Sequence, residues 1–219
     1  MQNQDSSYKK LYSHQKMMSN LLLGFVDAPW VQELDFATLQ KVPTRFVSDD
    51  QHQREDDLVW RVTLKKTGIR LYLPFEPQST PDAMMPVRAV SYTSLMWQDL
   101  KKSGQIRGRK LPPTAVVVLY TSKKRWRASL NIADMIQSVV GMERFLPHME
   151  YLLVDINTIS KKRLEALIAH GNLAALRIGM ELCRSREELR VLIKRLNELL
   201  QPEQISLRRD FVMWLQRVL

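Results

Sequence analysis

The chain has 219 residues, enough for one full-sized domain with an appendage, and its 45% hydrophobic and 26% charged residues are an ordinary globular composition. A formal net charge of +10 favours polyanionic partners, nucleic acid among them. The lone Cys183 excludes an intrachain disulfide or a cysteine-based zinc cluster and fits a reducing compartment. The polar stretch Met1 to Ser7 lacks the apolar core of a signal peptide, and the run Ala115 to Tyr120 falls far short of the roughly 20 residues that span a bilayer. A cytoplasmic location with no membrane partner is therefore expected.

In chain order, Tyr8 to Phe25 places Leu11, Met17, Met18, Leu21, Leu22 and Phe25 at helical spacing, a helix whose ordinary role is to pack on a sheet. Asp27 to Lys41 reads as a loop with a short helix or turn, and Arg45 to Ser48 as a short strand. Two alternating runs follow, Asp57 to Lys66 and Ile69 to Gln78, with Thr67-Gly68 between them, the sequence form of a β-hairpin. Thr80-Pro81-Asp82 predicts a helix start, and Ser103-Gly104 ends that helix. The continuous apolar run Ala115 to Tyr120 predicts a strand buried on both faces. Beyond Ala128 the periodicity is mostly helical: a short strand at Tyr151 to Ile156 precedes helices at Ser160 to His170, Leu173 to Leu182, Ser185 to Leu200 and Ile205 to Leu219. The order helix, strand, hairpin, helix, strand describes a mixed α/β sheet of α+β type, with a soft boundary near residue 130 between a core (1–130) and a helical C-terminal region (131–219).

The hairpin carries the chemistry. With Thr67-Gly68 as a two-residue loop, Lys66 faces Ile69, Asp57 faces Gln78 and Glu76 lies on the diagonal. Asp57, Glu76 and Gln78 then share one face, while Leu58, Trp60, Val62, Leu64, Ile69, Leu71, Leu73 and Phe75 form an apolar wall on the other. Facing Cβ atoms lie about 4.5–5.5 Å apart and diagonal ones about 7–8 Å, close enough for two carboxylates to share one divalent cation. A plainer reading pairs Glu76 with Arg61 or Arg70 and assigns no metal.

Glu55-Asp56-Asp57-Leu58-Val59-Trp60-Arg61-Val62, Leu71-Tyr72-Leu73, Glu76 and Gln78 followed by Ser79, Tyr92 to Leu100, and Leu111-Pro112-Pro113 through Tyr120 together resemble the YhgA-like, recombination-promoting nuclease family. The opening, Asp5 to His14 and Gly24-Phe25-Val26, is similar as well. The resemblance covers most of residues 5 to 135 and is less specific beyond. It implies a nuclease core of the PD-(D/E)XK superfamily, ordered helix, three strands, helix, strand. It also implies a Mg²⁺-dependent DNA endonuclease that promotes recombination, with Asp57, Glu76 and Gln78 catalytic and with Asp57, Glu76 and the Pro77 carbonyl as metal ligands.

Pro74 and Pro77 depart from the family's pattern, because proline removes an N–H that a central strand needs. They keep open a second reading, a non-catalytic DNA-binding or protein-interaction module. Two basic clusters are candidates for tracking DNA phosphates: Lys101, Lys102, Arg107, Arg109 and Lys110, then Lys123, Lys124, Arg125 and Arg127. Solvation is the ordinary fate of such runs, and packing is the ordinary role of Trp126 among them. A homodimer through the helical C-terminal region is the remaining expectation.

Overall fold

The structure, a computed structural model, describes residues 2–43, 58–106, 108–202 and 204–218. The strand expected at Arg45 to Ser48, and the candidate residues Asp57 and Arg107, lie outside the described residues. The chain divides into two compact units, Glu33–Asp155 and the combination of Met1–Gln32 with Ile156–Leu219. The division differs from the boundary near residue 130: the opening helices group with the C-terminal ones, and residues 131–155 stay with the sheet.

The first unit is a mixed sheet of five described strands, β1 (Leu34–Val42), β2 (Leu58–Leu64), β3 (Arg70–Gln78), β4 (Val117–Tyr120) and β5 (Leu152–Asp155), in that spatial order. The β1–β2 and β2–β3 pairings are antiparallel, and β3–β4 and β4–β5 are parallel. With helix α4 (Met85–Lys102) between β3 and β4, the mixed α/β class and the order of three strands, helix, strand stand as expected. α4 covers one face, Met85, Ala89 and Tyr92 packing with Val116, Val118, Tyr120, Trp126 and Tyr151, and Met96 and Leu100 packing with Val42, Val59 and Tyr72.

The hairpin closes two residues away from the expected register. Leu58 faces Phe75 and Thr63 faces Arg70, and the Leu64 N–H donates to the Ile69 carbonyl at 2.9 Å. The connection is therefore Lys65 to Gly68, closed by the Gly68 N–H donating to the Leu64 carbonyl at 2.8 Å. A two-residue type I′ loop would put the β-branched Thr67 at positive φ, which its side chain resists, whereas the longer loop leaves only Gly68 there, at φ 67°. An offset of two leaves every side chain on its expected face.

Both prolines lie within β3, the middle strand, and both are buried. The Tyr72 N–H donates to the Pro113 carbonyl, the Ala115 N–H to the Tyr72 carbonyl and the Thr121 N–H to the Gln78 carbonyl, each at 3.0 Å, so the even-numbered residues of β3 turn their polar groups toward β4. Pro74 is one of these, and the parallel ladder is interrupted there: Tyr72 and Thr114 form an isolated bridge, and pairing resumes at Phe75 with Val117. That gap is why β4 begins at Val117 and not at Ala115. The N–H missing at Pro77 belongs to the β2 side, beyond Leu58–Phe75, the last described pair.

Three further elements differ from expectation. β1 occupies part of the stretch read as loop and turn; Asp35 accepts from the Ala37 N–H at 3.1 Å through its side chain and from Thr38 Oγ1 at 2.7 Å through its carbonyl, and the register shifts between Asp35 and Gln40. Such local turns inside a strand hide its alternation. α4 begins at Met85, because Asp82 spends its Oδ1 on the Met84 N–H, at 2.8 Å, in a turn ahead of the helix. Residues 128–150 are largely irregular, with short 3-10 turns at Ile132–Met135 and Glu143–Phe145.

The second unit holds α1 (Gln2–Tyr12), α2 (Gln15–Phe25), α3 (Pro29–Gln32), α5 (Lys161–Ala169), α6 (Leu173–Leu182), α7 (Arg186–Leu199) and α8 (Ile205–Val218). α1 and α2 replace the single opening helix; within this unit α1 packs on α8, and α2, α5 and α7 pack on α6. The expected cap at Ser185 is present, its side chain accepting from the Glu188 N–H at 3.1 Å. Among the described residues no helix is long and apolar enough to cross a membrane.

At the centre of this unit Arg177 of α6 is fully buried, paired with Glu181 one turn on, its guanidinium 5.3 Å from the Tyr8 ring centre, 5.7 Å from Tyr12 and 5.9 Å from Trp214. Burial works against the charge, yet the facing Tyr12, Glu181 and Tyr8 oxygens leave its pKa raised. Removing one partner of a buried pair typically costs about 3–5 kcal/mol, whereas an apolar replacement of similar volume costs far less. Arg177→Ala is therefore expected to lose about 3–5 kcal/mol in urea unfolding followed by circular dichroism. The double replacement Arg177→Met with Glu181→Leu should lose much less, and equal losses would contradict the electrostatic account.

Candidate functional site

Glu76 and Gln78 alternate with two prolines along β3 and point to the face covered by α4, the parallel register setting Glu76 beside Val118 and Gln78 beside Tyr120. That face is buried, Glu76 and Gln78 being only 8% and 7% exposed. A carboxylate so buried needs a charge partner.

The partner comes from α4 and not from the hairpin. Arg88 donates from Nη2 to Glu76 Oε1 and to Tyr92 Oη (2.6 Å), and from Nη1 to Asp82 Oδ2 at 2.7 Å. Gln78 Nε2 donates to the same Glu76 Oε1 at 2.9 Å. Arg88 thus bridges the acid of β3 and the acid of the turn before α4. Desolvation lowers its pKa, but Glu76, Tyr92 and Asp82 more than compensate, so it is raised and the guanidinium stays charged.

Glu76 and Gln78 are brought together as expected; Asp57 lies outside the described residues, and neither Arg61 nor Arg70 takes the role now filled by Arg88. The Pro77 carbonyl, on an odd-numbered residue of β3, turns toward the β2 side beyond Leu58. Among the described residues no three His, Cys, Asp or Glu side chains gather as a metal site. The donors of the expected set that the structure describes, the Glu76 carboxylate, the Gln78 amide and the Pro77 carbonyl, are nonetheless the oxygen types that hard divalent cations prefer, and Glu76 already attracts a cation in the form of Arg88.

The site contains groups the sequence reading did not single out. Arg88 and Tyr92 are four apart on a helix that follows an acid-bearing strand, a spacing that puts both on one face. Asp155, 8% exposed, ends β5 in register with Tyr120 and so with Gln78, two strands or roughly 10 Å away on the same face.

The two basic clusters occupy opposite ends of the sheet. Lys123, Lys124, Arg125 and Arg127 are exposed just after β4, at the end where β3 presents Glu76 and Gln78. Lys101 and Lys102 lie thirteen and fourteen residues beyond Arg88 on α4, roughly 20 Å along the helix, and Arg109 and Lys110 precede β4. Trp126 is buried, its Nε1 donating to Tyr151 Oη at 3.0 Å and its ring 4.7 Å from that of Tyr120.

Residues 2–209 match the family described as putative transposase, YhgA-like. The chain belongs to that family. No solved structure matches it. In this YhgA-like chain the matched span takes in the whole sheet unit and most of the helical one.

Near the site, burial pushes the Tyr151 phenol up to about 12 from its ordinary value of 10.0, with the Trp126 N–H lowering it and the Asp82 carboxylate raising it. The folded state thus favours the neutral phenol, a stabilisation complete below pH 10 and lost as the pH rises through 12. Absorbance titration at the tyrosinate band should show Tyr151 ionising in that window, and Tyr151→Phe should remove that part of the signal; an unchanged curve would refute the assignment.

Proposed function

We propose that the chain is a metal-dependent DNA endonuclease that hydrolyses phosphodiester bonds and serves DNA recombination. The observation that carries the reading is the buried Glu76-Pro77-Gln78 end of β3, whose glutamate is already held by a cation at the start of α4. Membership of a family described as putative transposases supports it, since moving DNA requires breaking phosphodiester bonds.

Asp57, Glu76 and the Pro77 carbonyl would hold a divalent ion such as Mg²⁺, with Gln78 beside them. When bound, such an ion supplies a positive charge next to the phosphate and lowers the pKa of a water ligand. Gln78 accepts no proton near neutral pH, because an amide has no useful basicity there; its part is to orient the attacking water or a phosphate oxygen by hydrogen bonding. Lys123, Lys124, Arg125 and Arg127, at the same end of the sheet, are the better placed of the two basic clusters to hold the polynucleotide backbone.

The second reading, a fold-preserving module that binds DNA without cutting it, is favoured by the same Arg88 contact, since a guanidinium settled on Glu76 can also mark a site that takes no metal. Plasmid nicking separates the two. With Mg²⁺ or Mn²⁺ the wild-type chain should nick or linearise supercoiled plasmid, and Glu76→Gln and Asp57→Ala should each slow this by about 100-fold or more. Cleavage retained in both variants would overturn the nuclease assignment. Salt-sensitive DNA retention with no cleavage in any divalent metal would select the second reading.

A further inference from the structure

Arg88 does more than a neutralising partner needs to. It spans two carboxylates, and its side chain is 32% exposed against 10% for Glu76 and 22% for Asp82, so a ligand arriving from solvent meets the guanidinium before the acids. Arg88, Glu76 and Asp82 together carry one net negative charge, and Asp57, the further ligand of the nuclease reading, adds a second, which suits a divalent cation. A doubly charged ion cancels that excess, so the loaded site no longer repels a phosphodiester.

Resting on the nuclease reading above, we propose that Arg88 is a substrate-contacting residue with two alternating partners: the Glu76 carboxylate in the metal-free protein, and a phosphate oxygen of DNA once a divalent cation has taken Glu76. The contacts that allow the exchange are already built. Asp82 holds Nη1 independently of Glu76, so Arg88 stays at the site when its Nη2 partner is withdrawn. Tyr92, one turn along α4, receives the same Nη2 and limits how far the guanidinium moves. A guanidinium freed on one edge and anchored on the other is well formed to meet a phosphate, its planar donors matching two oxygens. Glu76 and Arg88 therefore act in sequence, with metal loading acting as the step that makes the DNA contact available.

The test uses the full chain and reads binding, not cleavage. Calorimetry with Mn²⁺ alone should show Arg88→Gln taking the ion about tenfold more tightly than wild type, because no guanidinium competes for Glu76. Fluorescence anisotropy with a short DNA duplex in Ca²⁺ should show the same variant binding DNA about tenfold more weakly, with Arg88→Lys recovering part of the loss. In the wild-type protein, the Arg88 guanidinium NMR signal should shift on adding Ca²⁺ and shift again on adding duplex, a measurement that does not depend on any variant folding. If wild type takes Mn²⁺ but Arg88→Gln takes it no more tightly, or the guanidinium signal ignores Ca²⁺, the exchange is overturned while the nuclease reading stands. If wild type takes no Mn²⁺, the nuclease reading falls and the exchange falls with it.

Discussion

Burying a carboxylate in the middle of a sheet is the constraint from which the rest of the sheet unit follows. Glu76 cannot remain charged under α4 without a cation, and that cation is Arg88. Arg88 in turn is oriented by Asp82, which reaches it because residues ahead of Met85 stay out of the helix. Had α4 begun at Thr80, Asp82 would be wound into its first turn and its Oδ1 would not make the Met84 contact that shapes the approach. The helix start, the acid pair and the packing of Tyr92 over β4 are thus one linked arrangement.

The two prolines of β3 have different consequences. Pro74 removes a donor directed at β4, and the ladder there breaks between the Tyr72–Thr114 bridge and the Phe75–Val117 pair. The same register resumes after the gap, so the cost is local. Pro77 lies between Glu76 and Gln78, and the residue before a proline is confined to extended backbone. Glu76 is that residue. A feature that argues against a regular central strand therefore also fixes the backbone of the acid on which the site is built.

Much of this arrangement was legible in the sequence, and the failures have identifiable causes. The faces of the hairpin follow from alternation alone, which is why a two-residue offset in register keeps Glu76 and Gln78 on their expected side. Thr67-Gly68 has the composition of a tight two-residue turn, yet the β-branched Thr67 resists the positive φ that turn requires, and the loop lengthens to Lys65–Gly68. β1 carries no clear alternation in the sequence because Asp35 and Thr38 form local turns within it. The α6 to α8 helices were legible nearly to the residue from their apolar spacing, and side-chain caps at Asn172 and Ser185 open the first two. Arg88 was not legible as the partner of Glu76: hairpin arithmetic offers Arg61 and Arg70, and only the crossing of α4 over β3 brings a residue twelve positions away into contact.

Parallel pairing decides which surface belongs to the site. Because β3, β4 and β5 run the same way, their C-terminal ends share one edge of the sheet, the edge at which open α/β sheets bind ligands. Gln78, Tyr120 and Asp155 lie in register there, and the chain leaving β4 passes at once into Lys123 to Arg127. Trp126 would serve poorly as a base-stacking platform, since it is buried against Tyr120 and Tyr151. Its burial has another effect. With Tyr120 Oη donating to the Lys124 carbonyl at 2.6 Å, it pins the basic segment at two points, so the exposed cations on either side of it are carried by a fixed backbone instead of a loose loop. A polyanion meeting that edge would find charges already ordered, which lowers the entropy that binding must overcome.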